Sequence, residues 1–413
     1  MYPRVLLFLG LLTAFARPGS AQTPTESTTP PAPASADTLP RFPRLGRTLT
    51  NLTNLYYGPG TDRLGGAKRE TLDSGVVLRL TGQADKLYRV QLSPNQTAYV
   101  PTEQVRVDST APVPPASTTY LTGNWTVSGD SVFDYVAIRL PERLPYQSRQ
   151  EVSPDRIVLD LFGAGVNTNW ITQLRTARAV ERVWFEAVAD EHVRVYVALR
   201  TPKRSPAHWG YSIYYQKTTL TIRVRRPPAG RSLRGLVIAV DAGHGGSNTG
   251  ATGGQTGQLE KDLTLDVARR LATYLTRAGA RVVLVRDANT NLTPSVRIRA
   301  MRQLLPHLLV SIHFNSSSNA GVRGVSTYYK HLGFRPWSQA VLSTMLNRLP
   351  VGEFGNVGHF NFFFNSPTDY PNLLVEGPFL SNPTDEALIV DPTFRDQMAK
   401  AIWKGLRRAR RGR

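Results

Sequence analysis

Leu236-Val237-Ile238-Ala239-Val240 runs straight into Asp241-Ala242-Gly243-His244-Gly245-Gly246, and this junction decides the fold. Five consecutive apolar residues without alternation predict a strand covered on both faces, as in the parallel sheets of α/β domains. The glycines that follow let the backbone turn sharply and leave the His244 imidazole unobstructed. Downstream, residues 262–278 carry Leu263, Val267, Leu271 and Leu275 at helical spacing and stop at Gly279. The alternation continues with a strand over 281–285, a helix over 295–305, strands over 308–312 and 325–329, a helix over 337–349, a strand over 373–375 and a helix over 393–408. Residues 233–413 are therefore expected to form a three-layer α/β domain.

Such sheets place chemistry outside the carboxyl ends of their strands. His244 follows the first strand, and Glu260 opens the next helix in Leu259-Glu260-Lys261-Asp262. His313 is expected to close the strand ending Ser311-Ile312-His313, and Glu376 the strand ending Leu374-Val375-Glu376. Each residue alone has an ordinary reading: a strand-end histidine is a hydrogen-bonded structural group, and a strand-end glutamate pairs with one of many arginines. Their convergence on one edge favours chemistry. Two neutral imidazoles and one carboxylate, with a fourth position left for water, make a hydrolytic zinc set. The remaining carboxylate can serve as base. Asp241 or another polar neighbour is expected to orient a ligand imidazole. His192, His208, His307, His331 and His359 have no such placement.

Val240-Asp241-Ala242-Gly243-His244-Gly245-Gly246, Leu259-Glu260-Lys261-Asp262, Val310-Ser311-Ile312-His313-Phe314-Asn315 and Leu374-Val375-Glu376-Gly377-Pro378-Phe379-Leu380-Ser381-Asn382-Pro383 share a pattern. Taken together they resemble the zinc-dependent N-acetylmuramoyl-L-alanine amidases of the Amidase_3 type. The resemblance implies zinc held by His244, Glu260 and His313, with Glu376 as the catalytic glutamate. It also implies hydrolysis of the amide joining N-acetylmuramic acid to the L-alanine of the peptidoglycan stem, in wall remodelling or daughter-cell separation. Asn315 and Asn382 match further family positions, beside the ligands or shaping loops. The family commonly carries an arginine shortly before its catalytic strand. Residues 349–371 contain none and are instead rich in aromatics: Phe354, Phe360, Phe362, Phe363, Phe364 and Tyr370. These are read as packing, with a sugar-stacking platform as the other reading.

The N-terminal half has a different grammar. Arg4, an apolar run over residues 5–16 and Gly19-Ser20-Ala21 before Gln22 have the layout of a cleaved signal peptide over 1–21. This predicts export to the periplasm or cell envelope, since the apolar run falls short of the roughly 20 residues that span a bilayer. Residues 22–43, rich in Thr, Pro, Ala and Ser, are expected to be a disordered linker. Residues 44–110 hold short β-type runs separated by turns, including Val76-Val77-Leu78-Arg79-Leu80 and Leu87-Tyr88-Arg89-Val90. With Asn54-Leu55-Tyr56-Tyr57-Gly58-Pro59-Gly60-Thr61 they resemble the bacterial SH3-like barrel, although Tyr57 stands where its arginine usually is. Residues 118–228 alternate apolar and polar in Tyr135–Leu140, Arg156–Leu161, Val193–Leu199 and Leu220–Val224, which predicts a β-sandwich. Pro154-Asp155-Arg156-Ile157-Val158-Leu159-Asp160-Leu161 with Val193-Arg194-Val195 resembles the AMIN domain that precedes many cell-wall amidases.

Composition sets the outer limits. At 413 residues, 41% hydrophobic and 19% charged, the chain can bury more than one core. It has no cysteine, which excludes disulfides, thiolate metal sites and thiol catalysis. Lys and Arg number 50 against 30 Asp and Glu, a net charge of +20 that predicts attraction to an anionic surface. The export signal disfavours nucleic acid as that partner and favours peptidoglycan and other anionic envelope polymers. The end at Arg407, Arg408, Arg410, Arg411 and Arg413 is read as a solvated helix face, with contact to the wall as the alternative. The glycine-rich loop after Val240 lacks the third glycine of a dinucleotide site, and neither a Gly-Lys-Ser/Thr phosphate loop nor His-Glu-x-x-His occurs. No segment after the leader is long and apolar enough to span a membrane. The competing reading is a non-catalytic peptidoglycan-binding envelope protein with an amidase-like fold.

Overall fold

Apolar runs in the C-terminal region become strands buried on both faces. The structure, a computed structural model, describes residues 42–60, 65–108, 119–200 and 206–412. The expected signal peptide, linker residues 22–41 and the joint over 111–117 lie outside the described residues. Six strands form the C-terminal sheet: β1 (Val237–Ala242), β2 (Arg281–Leu284), β3 (Leu308–Asn315), β4 (Val325–Tyr328), β5 (Glu353–Val357) and β6 (Asn372–Phe379), in the order β2-β1-β3-β6-β4-β5. The β2-β1-β3-β6 run is parallel, and β4 joins β6 antiparallel. Along β1, Ile238 and Val240 face one core while Ala239 faces another, the period of two expected of a strand covered on both sides.

Helices α1 (Glu260–Arg277), α3 (Arg335–Leu346) and α5 (Pro392–Arg410) supply residues to the larger core, including Val267, Leu271, Val341, Met398 and Ile402. Leu263, Val267, Leu271 and Leu275 of α1 are all buried, as their spacing predicts, and Gly279 follows the helix at φ 85°. On the opposite face, Met301 of α2 (Pro294–Leu304), Phe364 and Tyr370 pack against Ala239 and Leu309. A short helix α4 (Pro383–Val390) follows β6. The expected three layers are present.

Two strands run further than the sequence predicts. The β3–β6 ladder passes through His313 opposite Glu376 and Phe314 opposite Gly377, then resumes after a bulge at Asn315 opposite Phe379. His313 and Glu376 are therefore strand residues and not strand ends. Their polar side chains emerge into a cleft, so they do not interrupt the ladder. Strand β5 and helix α4 escaped the sequence reading. Glu353-Phe354-Gly355-Asn356-Val357 has little apolar alternation and a glycine at φ 149°, while α4 is announced mainly by its cap Asn382.

Residues 44–108 form one antiparallel seven-stranded sheet. Its strand order is Lys68–Leu72, Thr53–Tyr56, Gln96–Pro101, Leu87–Ser93, Val77–Ala84, Arg44–Thr48 and Val105–Asp108. The described part of residues 120–225 forms sheets of five, four and two strands, with Trp125, Val136, Leu159, Val195 and Ile222 buried in a core that continues into the first sheet; the region is β-rich, as the alternation predicts. Both units dock on the C-terminal domain. Trp209 packs edge to face on Trp337 at 5.5 Å, and the Gly333 amide donates to Gln150 Oε1 at 2.8 Å. Asn361 Nδ2 donates to the Gly66 carbonyl at 3.1 Å. Among the described residues no helix is long and apolar enough to cross a membrane.

Candidate metal centre

The turn after β1 is built for close approach. A Cβ on Gly243 would come within 2.3 Å of the His313 ring, so only glycine lets this backbone pass. His244 sits at φ 63°, a left-handed conformation that costs a non-glycine residue free energy unless its surroundings hold it. Two buried arginines do the holding. Arg297 bonds Asp241 Oδ1 at 2.6 Å and the Ala242 carbonyl at 3.0 Å, and it reaches the His244 carbonyl. Arg286 donates to the carbonyls of Ala242 at 2.9 Å and Gly243 at 2.8 Å. Ser311 Oγ donates to the other Asp241 oxygen at 2.9 Å. Asp241 thus acts on the loop backbone through Arg297 and does not orient an imidazole. That task falls to Asn248, whose Oδ1 lies 2.9 Å from His244 Nδ1 and accepts its proton. The other ring nitrogen, Nε2, is turned toward Glu260 and, once deprotonated, is able to act as a ligand.

His244 Nε2 and His313 Nδ1 each lie 3.1 Å from Glu260 Oε1, and the two rings meet edge to face at 4.9 Å. One ligand atom from each of the three residues falls within 4.8 Å of the others. Glu260 begins α1, where the helix N-terminus favours a negative charge. Its oxygens also accept the amides of Ala251 at 2.9 Å and Phe314 at 3.1 Å. Burial alone would raise the Glu260 carboxyl, but hydrogen bonds and charge from His244 and His313 overcome this and hold it well below the usual range. Burial would lower His244, yet the bond to Glu260 and its charge prevail and raise it. Gly250 approaches so closely that a Cβ there would lie 2.5 Å from Glu260 Oε2 and 2.7 Å from His244 Cδ2. Two imidazoles and one carboxylate at this spacing are a donor set that fits a divalent ion such as zinc.

Glu376 is buried on β6, directly across the ladder from His313, and lines the same cleft of about 160 Å³. The sequence reading thus brings all four of its site residues together. The cleft is also lined by the apolar residues Leu292, Pro294, Leu374, Phe360, Phe362 and Phe363. Phe362 meets the His313 ring edge-on at 6.0 Å. The aromatic stretch therefore packs in the core only in part. Phe364 and Tyr370 are core and Phe354 packs on Phe379, whereas Phe360, Phe362 and Phe363 face the cleft. Asn382 caps α4, accepting the amides of Thr384 and Asp385 at 3.0 Å, and Asn315 donates to Ser326 Oγ at 3.1 Å. Of the remaining histidines, His192 bonds Asp160, His208 the Glu151 carbonyl, His331 the Ser366 carbonyl and His307 the Val237 amide, and none of these four lines the cleft. Arg286, Arg297 and Asn248 were not anticipated. An asparagine four residues after the histidine was the one readable signal, since arginines in a basic chain look like surface.

A buried two-histidine, one-carboxylate set with a second acid beside it, at the edge of a three-layer α/β sheet, is the equipment of a hydrolase that works with a metal ion. Residues 238–408 match the profile of the Amidase_3 family, N-acetylmuramoyl-L-alanine amidase, and this region is an amidase domain of that family. A germination-specific N-acetylmuramoyl-L-alanine amidase of Bacillus subtilis is 29% identical over 192 residues, 43% of this chain and 80% of that protein. The probable cell wall amidase LytH of Staphylococcus aureus is 30% identical over 176 residues, 42% of this chain and 58% of LytH. An N-acetylmuramoyl-L-alanine amidase of Clostridium difficile 630 of known structure is 30% identical, covering 42% of this chain and 95% of that one at a TM-score of 0.41.

Proposed function

We propose that the protein is a zinc-dependent hydrolase of the amide between N-acetylmuramic acid and L-alanine in peptidoglycan. The observation that carries this reading is the meeting of His244, Glu260 and His313, with Glu376 facing His313 across one ladder in the same cleft. Bound by those three side chains, zinc would supply Lewis acidity toward the amide carbonyl. Asn248 keeps the His244 tautomer fit for ligation, and Arg286 and Arg297 keep its loop in place. Glu376 accepts the proton of the attacking water and passes it to the departing nitrogen, so that the stem peptide leaves with a free L-alanine amine. The apolar wall of Phe360, Phe362 and Phe363 shields that proton transfer from bulk water on one side.

The N-terminal units, the SH3-like sheet and the AMIN-like sandwich, hold the enzyme on the wall after export to the periplasm or cell envelope. The net charge of +20 suits an anionic matrix. The test is to incubate the purified protein with peptidoglycan, with and without a chelator, and to identify the released fragments by mass spectrometry. Peptides beginning at L-alanine, released only without chelator, are the expected result. Shortened glycans would mean a glycosidase, and binding without release would mean a non-catalytic wall protein.

A further inference from the structure

A second cavity lies between the last turns of α3 and α5, with a volume of about 460 Å³. Arg348, Lys404, Arg407, Arg408 and Arg411 line it, and no acidic side chain does. None of the five makes an ion pair with an acidic residue among the described residues. The alternative explanation is neutralisation of helix dipoles, because both helices end here. Each helix terminus carries about half a negative charge, so two offset roughly one of five positive charges. About four are left facing one another. The Lys404 ammonium registers this: partial desolvation and then the charges of Arg348, Lys400 and Arg407 push it below the usual lysine value.

The cluster is also partly preset. The Arg407 guanidinium lies 4.8 Å over the Trp403 ring, and Arg408 donates to Ser343 Oγ at 3.2 Å. Planar guanidiniums held in this way match the oxygens of phosphate groups, and several of them along one groove select a multivalent anion over a single one. None of the residues that line this cavity lines the metal-ligand cleft. An occupant here leaves the cleft open.

We propose that the α3–α5 groove is a binding site for phosphate-bearing anions, separate from the catalytic cleft. The test uses the full-length protein, calorimetric titration with tripolyphosphate, and sedimentation with vesicles of phosphatidylglycerol or of phosphatidylcholine. Tripolyphosphate is expected to bind saturably and to weaken as salt is added. Replacing Arg348, Lys404, Arg407 and Arg411 together by Gln should cost at least about tenfold in affinity, given the dependence of such binding on the number of cations. Arg411→Gln alone, at the exposed end of α5, should cost about threefold without disturbing either helix. Arg348→Lys, Arg407→Lys and Arg411→Lys combined keep the charge and should retain most of the binding.

Sedimentation with phosphatidylglycerol but not phosphatidylcholine, competed by tripolyphosphate, assigns the anion to a lipid headgroup. Tripolyphosphate binding without vesicle binding assigns it to free or polymeric phosphate. Equal affinity in the wild type and the four-Gln variant, or no saturable binding by the folded protein, overturns the proposal. Peptide release from peptidoglycan, measured on the same variants, tests the amidase reading independently.

Discussion

Two buried carboxylates in this chain each touch imidazole, and they end in opposite conditions. Asp160, in the sandwich, bonds His192 Nε2 at 2.8 Å, Arg194 Nε at 2.6 Å and Arg149 Nη1 at 2.9 Å. Glu260, in the C-terminal domain, contacts two histidines, and no Lys or Arg pairs with it among the described residues. Asp160 is balanced by permanent cations supplied by its own strands, so the cluster is closed and serves stability. Glu260 faces a cleft and has only imidazoles; under the proposed function these act as neutral ligands, and the balancing charge would then come from a bound ion. A carboxylate touching histidine is thus not itself a sign of chemistry; the source of the compensating charge is.

The largest break in this comparison is Glu376→Gln. It should leave the donor set and its metal content intact while lowering turnover by about 10²- to 10⁴-fold, as loss of a general base does. Metal analysis beside a peptide-release assay checks this, and near-normal turnover in a folded, metal-bearing variant would remove Glu376 from its role. A middle-sized effect is expected for Asn248→Ala, which frees the His244 tautomer: metal affinity should fall by about 10- to 100-fold, read by competition with a chromophoric chelator.

The smallest effect belongs to the closed cluster. Burial would raise Asp160, but bonds and charge from His192 and Arg194 hold it down at about 2, against an ordinary 3.8. A depressed carboxylate contributes stability that is present above its unfolded value and lost as pH falls through its folded value. Asp160→Asn should therefore cost about 2 kcal/mol near neutrality. The gap to the wild type should close between about pH 4 and pH 2. Denaturant melts at three pH values measure this, and the variant should keep its amidase activity at pH 7. A pH-independent gap would show that packing, and not charge, ties Asp160 into the sandwich.

How much of this was legible in the sequence depended on whether a residue's task left a local trace. The donors did, because His244, Glu260, His313 and Glu376 each sit beside an apolar run or a helix start whose direction can be read. The sandwich strands did, through their alternation. Arg286 and Arg297 left none: their partners are backbone carbonyls and the Asp241 carboxylate, up to 56 positions away in the chain, contacts that no local spacing encodes. The choice between Asp241 and another polar neighbour as the partner of the His244 imidazole was left open for the same reason, and the structure gives that place to Asn248. The aromatic segment could not be divided between core and cleft until β5 and the following loop were placed, since Phe362 and Phe364 look alike in sequence.

Asn361 lies between two of the cleft-facing phenylalanines and is fastened to Gly66, in the bend just ahead of the strand Lys68–Leu72, while Lys330 Nζ reaches the Lys68 carbonyl at 3.4 Å. The lip of the cleft is therefore spliced to a part of the chain almost 300 residues upstream. A displacement of that first unit is therefore handed to the aromatic rim of the cleft through these few bonds.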